Sequence, residues 1–248
     1  ILYTSGTTGR PKGAELTHSN LMMNSLCNKG LMKLVADDVH LLVLPLFHSF
    51  GQVVQMNGAV LCGATMVLLP RFDPDAALAA MVKHQVTVFA GVPTMYIAIL
   101  NLPDADRRHD LRAIAASMRV GVSGGAALPV EVLRQFERKF DVTILEGYGL
   151  SETSPVATFN QFEFECVPGS VGQAIAGVEV RIVDTHDQPV AVGEIGEVVI
   201  RGHNIMKGYY KRPEATAEAI RNGWFHSGDL GRMDERGYVY IVDRLKDM

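Results

Sequence analysis

Five short apolar runs, separated by segments of helical length, limit what this chain can fold into more than any other feature. The runs are Val39–Leu44, Thr65–Leu69, Val86–Ala90, Met118–Val122 and Val142–Leu145. Beside them lie segments that read as helices: Leu16–Leu31, Phe50–Cys62, Pro74–His84, Pro93–Leu100 and Pro129–Phe140. Asp73 before Pro74 is an N-cap signal, and Pro129 suits a first helical turn. Strand–helix–strand alternation implies a mostly parallel sheet covered on both faces by helices. After Pro168 the texture changes: Glu179–Asp184, Gly196–Arg201 and Tyr238–Asp243 alternate apolar and charged residues between Gly and Pro punctuation. That pattern predicts short antiparallel strands forming a small barrel-like subdomain. The expected fold class is therefore α/β, with residues 1–167 as an α/β subdomain, residues 168–243 as a β-rich subdomain, and a boundary near Cys166–Ser170.

Composition narrows the function classes. With 248 residues the chain can bury a sizeable core. A formal charge of −4 leaves no basic excess for neutralising nucleic-acid phosphates. Cys27, Cys62 and Cys166 are odd in number and widely spaced, which predicts reduced thiols and a cytoplasmic protein rather than a disulfide framework or a zinc site. The apolar stretches Val39–Phe47 and Gly58–Pro70 are short for a bilayer span, and no signal peptide is visible; peripheral membrane contact and oligomeric state stay open. The chain opens without Met inside an apolar run, as expected of a piece whose natural N-terminus lies upstream.

The residues Tyr3-Thr4-Ser5-Gly6-Thr7-Thr8-Gly9-Arg10-Pro11-Lys12-Gly13 interleave hydroxyls with glycines and end in two cations. Glycines let backbone N–H groups converge, hydroxyls add donors, and Arg10 and Lys12 neutralise charge, so the loop suits a polyphosphate. A hydroxyl here could also reach a magnesium ion. The spacing excludes a Walker loop: counted from Gly6, the second glycine falls on Pro11, and the residue after Lys12 is Gly13 instead of Ser or Thr. Nor is there a dinucleotide fingerprint, since Gly147-Tyr148-Gly149-Leu150-Ser151-Glu152 places Glu152 where a third glycine is required.

Tyr3–Gly13 resembles the signature loop of the adenylate-forming superfamily that contains acyl-CoA synthetases, nonribosomal-peptide adenylation domains and luciferases. Four further segments resemble its later signatures, in the same order: Leu44-Pro45-Leu46-Phe47-His48, Gly147–Thr153, Trp224–Asp229 and Asp243-Arg244-Leu245-Lys246-Asp247. The resemblance spans residues 3 to 247. It implies that a carboxylate attacks the α-phosphate of ATP, that pyrophosphate leaves, and that a thiol, usually of coenzyme A, then attacks the acyl-adenylate. The protein's part in such chemistry is mostly positioning and charge stabilisation.

Residue by residue, the resemblance implies the following roles. Thr4, Ser5, Gly6, Thr7, Thr8, Gly9 and Lys12 bind phosphate, with Lys12 also assisting the chemistry. Glu152 holds magnesium, with Thr4 as a second candidate. Tyr148, flanked by Gly147 and Gly149 so that a flat base can approach, stacks on adenine. Ser151 contacts phosphate where relatives carry Thr. Gly124, Gly125 and Ala126, after a predicted strand, line the nucleotide crevice. Asp229 accepts from the ribose hydroxyls, and Arg244 contacts ribose or phosphate. His48 lies near the acyl pocket and the α-phosphate. Lys246 is the hinge, within residues 244–248, about which a small C-terminal domain swings. That domain, with its adenylation lysine and coenzyme A contacts, lies outside the sequence, so the piece alone is expected to turn over little.

For the acyl group, Gly91–Leu100 resembles the family's tunnel lining and carries no charge, and Gly121–Ala127 offers room. A buried carboxylate tail would need a cation. A fatty acid of medium or long chain is therefore the expected substrate, with ATP, Mg2+ and coenzyme A. Alternatives are an aryl-acid or amino-acid adenylation domain, or a module that binds ATP or AMP without turnover.

Overall fold

The computed structural model describes residues 1–4 and 11–244. β1 (Leu2–Thr4) and β2 (Lys12–Glu15) form an antiparallel pair with Thr4 opposite Lys12. α1 (His18–Leu31) follows, opened by a reciprocal cap: Thr17 Oγ1 accepts from the Asn20 amide, and Asn20 Oδ1 accepts from the Thr17 amide. Strands and helices then alternate. β3 (Val39–Leu42) leads into π-helical turns over Phe50–Asn57, which run on as α2 (Gly58–Cys62). β4 (Thr65–Leu68), α3 (Pro74–His84), β5 (Val88–Gly91), α4 (Pro93–Leu100), α5 (Ala105–Arg108) and α6 (Leu111–Ser117) come next. β6 (Val120–Ser123), α7 (Val130–Phe140), β7 (Thr143–Gly149), β8 (Val156–Phe159) and β9 (Gln173–Ala174) complete a seven-stranded sheet ordered β4-β3-β5-β6-β7-β8-β9. Its members β4 through β7 are parallel, and β8 and β9 join antiparallel. The α/β expectation is met, and the start of α3 is as read: Asp73 Oδ1 accepts from the Ala76 amide at 2.8 Å, with Pro74 in the first turn.

Central strands β5 and β6 are buried along their whole length. Beneath them Phe89, Tyr96, Phe136 and Phe140 stack in series, with ring centroids 4.5–5.3 Å apart. Each fully buried ring of this kind contributes about 1.5–3 kcal/mol. The Tyr96 hydroxyl donates to the Val122 carbonyl at 2.8 Å, so the aromatic stack also ties α4 to β6. An ion pair closes the other end of the sheet. Asp38, 1% exposed, accepts from Arg119 Nε and Nη2, from Thr87 Oγ1 and from the Val35 amide. Burial pushes its carboxyl upward, but Arg119 and the other donors outweigh that and hold it below the usual carboxylate range.

Past residue 175 the chain is antiparallel. β10 (Val178–Val183), β11 (Gly196–Gly202), β12 (Gly208–Tyr209), α8 (Pro213–Ala219), β13 (Ile220–Arg221), β14 (Trp224–Met233) and β15 (Val239–Arg244) follow one another. Five of the strands form one sheet, in which β13 and β15 pair with different stretches of β14. Two short strands cross the boundary expected near Cys166–Ser170: β9 pairs with β8, and β12 pairs with β2. No helix among the described residues is long and apolar enough to cross a membrane.

Candidate functional site

All three sheets face one cavity of about 1160 Å³. The parallel sheet contributes residues beyond the carboxyl ends of its strands: Phe47–Phe50 after β3, Val122–Gly125 from β6, and Gly147–Glu152 from β7 onward. This is where open α/β sheets hold ligands. The small sheet contributes Tyr3, Thr4, Lys12 and Tyr209, and the antiparallel sheet contributes Glu197, His226–Gly228 and Arg244.

Of the residues expected from sequence, Thr4, Lys12, His48, Gly124, Gly125, Gly147, Tyr148, Gly149, Ser151, Glu152 and Arg244 are thus brought together, from as far apart as residues 4 and 244. Ser5, Gly6, Thr7, Thr8, Gly9 and Lys246 lie outside the described residues. Ala126 does not line the cavity: Gly125, at φ +82°, turns the chain away, and Ala126 is exposed. The expected tunnel segment Gly91–Leu100 contributes nothing to the wall either, because Tyr96 and Ile99 are fully buried in the core.

Tyr148 and Asp229 form one unit. The Tyr148 hydroxyl donates to Asp229 Oδ2 at 2.7 Å, and Arg244 Nε donates to Oδ1 at 2.8 Å. Asp229, 3% exposed, lies behind these two lining residues. A carboxylate so deeply placed must be paired, and they pair it. Burial first, and then the neighbouring Asp229 charge, push the Tyr148 phenol far above its ordinary value, so it remains a donor. The flanking glycines also have a packing reason that the sequence does not show. A Cβ on Gly147 would strike the Phe159 ring, and one on Gly149 the Pro155 carbonyl. They admit the returning chain at β8, and both line the cavity beside Tyr148.

Glu152 is 7% exposed, and its Oε1 accepts from the Tyr209 hydroxyl at 2.7 Å. Among the described residues no hydrogen bond reaches its Oε2, and Glu152 is part of the cavity wall. The Lys12 ammonium stands 5.0 Å from the centre of the Tyr209 ring. No cluster of three or more His, Cys, Asp or Glu able to hold a metal occurs among the described residues. A wall carboxylate with one oxygen free of hydrogen bonds among the described residues fits an ion such as Mg2+, which takes one or two carboxylates and otherwise phosphate oxygens and water.

His48 accepts the Phe50 amide at Nδ1, 3.1 Å away, which leaves the proton on Nε2. Burial lowers its affinity for a second proton. The imidazole is therefore a neutral donor at the cavity wall. Glu197 escaped the sequence reading. It accepts from the Gly228 amide at Oε1, 3.0 Å, with His226 Nδ1 2.8 Å from Oε2. Ser227 Oγ accepts from the Asp229 amide and donates to the Val198 carbonyl. These bonds fix the backbone that carries Asp229. Tyr209 also escaped: Gly208-Tyr209-Tyr210 has no local signal, and only its pairing with β2 places it.

Residues 1–210 match the model of a family described as AMP-binding enzyme. The chain belongs to the AMP-binding enzyme family. Among curated members it is 42% identical to a long-chain-fatty-acid–CoA ligase of Bacillus subtilis, over all of this chain and 44% of that protein. It is 41% identical to a feruloyl-CoA synthase of an Amycolatopsis species, over all of this chain and 50% of that one. A solved structure of ATP-bound MatB from Rhodopseudomonas palustris superposes with a TM-score of 0.93 at 41% identity, covering the whole chain and 48% of MatB. The chain spans about half the length of these members. The two ligases are named for different acids, a long-chain fatty acid and ferulic acid.

Proposed function

We propose that this chain is the nucleotide- and acyl-binding core of an acid–thiol ligase that activates a carboxylic acid with ATP and passes the acyl group to coenzyme A. The observation that carries the reading is the convergence on one cavity of a cation (Lys12), an available carboxylate oxygen (Glu152) and the Tyr148–Asp229–Arg244 unit. In this reading Tyr148 offers its ring to adenine while its hydroxyl stays on Asp229. Asp229 and Arg244 meet the ribose, and Lys12 with Thr4 meets the phosphates. The His48 Nε2–H points its donor at the reacting carboxylate or the α-phosphate. The carboxylate oxygen bonds to the α-phosphorus as the bond to pyrophosphate breaks; the thiol then takes the acyl carbon and AMP leaves. Glu152, with Thr4 as a second candidate, would hold magnesium, which offsets charge on the departing pyrophosphate.

The substrate we favour is a fatty acid of medium or long chain, with an uncharged tail. Phe47, Phe50, Val122 and Phe159 make an apolar stretch of wall. The cations of the wall, Lys12, Arg221 and Arg244, belong to the small and antiparallel sheets. The same apolar wall suits an aryl acid, and the feruloyl-CoA synthase is a relative of equal likeness. The unpaired Cys27, Cys62 and Cys166 accord with a cytoplasmic protein. ATP–pyrophosphate exchange, run with the protein that contains this chain across fatty, aryl and dicarboxylic acids, tests the reading. Exchange should require an acid and favour uncharged tails; none with any acid refutes it. Glu152→Gln should abolish most exchange at unchanged melting temperature.

A further inference from the structure

The cluster Lys12–Tyr209–Glu152 has a geometry that its neighbours do not require. Tyr209 sits on the two-residue strand β12, and the chain around it is pinned at every step. The Met206 amide donates to the Glu152 carbonyl at 2.8 Å, the Lys207 amide to the Glu15 carbonyl at 2.9 Å, and the Tyr210 amide to the Gly13 carbonyl at 2.7 Å. The Tyr209 amide donates to Thr216 Oγ1 at 2.8 Å. Gly208 allows that approach, since a Cβ there would stand 2.8 Å from Thr216 Cγ2. Four tethers thus hold one phenol whose ring lies by the Lys12 ammonium and whose hydroxyl reaches Glu152. Were the ring only core filling, its hydroxyl would not need to end on a carboxylate at the cavity wall.

We propose that Tyr209 is a positioning residue: it holds Glu152 Oε1 so that Oε2 is presented to a magnesium ion carried by the nucleotide, and it couples that carboxylate to Lys12 on the phosphate-binding strand. The proposal rests on the nucleotide reading above. The phenol suits this task because it is a neutral group with one proton to donate, and its hydroxyl lies 2.7 Å from Glu152 Oε1. It cannot compete with Glu152 as a metal ligand. Groups that orient a metal-binding carboxylate typically change metal affinity about 10–100-fold when removed.

The test is calorimetric binding of ATP to the chain with Mg2+ and with EDTA; the ratio of the two affinities is the readout. In Tyr209→Phe the ratio should fall about 10-fold, with affinity in EDTA unchanged, and adding Tyr209→Phe to Glu152→Gln should change nothing further. Thr216→Val, which keeps the side-chain shape but loosens the Tyr209 backbone, should lower the ratio in the same direction and serves if Tyr209→Phe does not fold. A ratio unchanged in the variants overturns the proposal alone. A loss that is equal with Mg2+ and EDTA assigns Tyr209 a purely structural role and also overturns it. A wild-type chain that binds no ATP overturns the nucleotide reading and this proposal with it.

Discussion

Asp229 offers the sharpest quantitative test of the site. Its carboxylate has about four lone-pair positions. Two are engaged, by Tyr148 and by Arg244. The remaining two match the two ribose hydroxyls, reached once the Arg244 side chain, about half exposed, draws aside. Each hydrogen bond to a charged acceptor is worth about 1.5–3 kcal/mol. Removing one hydroxyl from the ligand should then weaken binding about 10- to 150-fold. The informative experiment crosses ligand with protein: AMP, 2′-deoxy-AMP and 3′-deoxy-AMP, each titrated calorimetrically into wild type and Asp229→Asn. Asparagine keeps the shape and one oxygen for Tyr148, and Arg244 can rehydrate, so the melting temperature should hold. In the wild type AMP should be preferred to either deoxy ligand by the factor above. In Asp229→Asn the preference should shrink to about fivefold or less, because a neutral acceptor gains only about 1 kcal/mol or below per bond. The same preference in both proteins would place the ribose hydroxyls elsewhere and refute the reasoning.

Four further outcomes follow from the fold. Arg119→Met leaves the Asp38 carboxylate buried without its main partner and should cost about 3 kcal/mol in denaturant melts. Because the Asp38 carboxyl is depressed in the folded chain, its stabilisation is present above the unfolded carboxylate range and lost as pH falls through the folded value, so Asp38→Asn should flatten acid unfolding below about pH 4. Glu146 runs the other way. Burial raises it from 4.5 to about 7, against a partly offsetting bond from the Leu128 amide. The unfolded chain gives up that proton first, so stability should drop as pH rises from about 4.5 to 7, by about 3 kcal/mol in all, and Glu146→Gln should abolish the drop. Gly147→Ala drives a methyl into Phe159 and should destabilise by about 1–3 kcal/mol; an unchanged melt would show that β8 can move away.

What the sequence made legible was local or periodic. Asp73 and Pro74 mark the start of α3 because capping needs only neighbours. The parallel strands β3, β5 and β6 showed as apolar runs because they are buried along all or nearly all their length, whereas the edge strand β4 is largely exposed. Elsewhere the deciding contacts are distant. α1 buries Asn20, Asn24, Ser25 and Asn28 and leaves Met22, Met23 and Leu26 exposed, the reverse of what an apolar stripe suggests. Its asparagines satisfy backbone: Asn20 Nδ2 donates to the His203 and Ile205 carbonyls, and Asn24 exchanges bonds with Val156. β14, ten residues long, hid behind His226, Ser227, Gly228 and Asp229, which look like a turn when read alone. Gly231 within it is demanded by the Tyr240 carbonyl, 2.8 Å from where a Cβ would stand. For the site, motif residues were legible as a set, but the partner that holds Glu152 was not, since β12 is two residues long and exists only against β2.

The two tyrosine–carboxylate bonds explain how three separate sheets make one site. Tyr148 stands on the parallel sheet and Asp229 on the antiparallel one; Glu152 follows the parallel sheet and Tyr209 belongs to the small one. Each bond crosses a seam between sheets, and in each the donor is a phenol whose proton burial makes hard to remove. A histidine or lysine in either place would gain or lose a proton with its surroundings, and the seam would loosen as it did. A buried phenol binds a carboxylate without adding a charge that phosphate would feel. The positive charge of the wall is thereby left to long side chains: Lys12 on β2, Arg221 on β13 and Arg244 at the end of β15. The rigid part of the site is neutral-to-anionic and spans the sheets, the cationic part sits on long side chains, and nucleotide binding in this reading redistributes only the second.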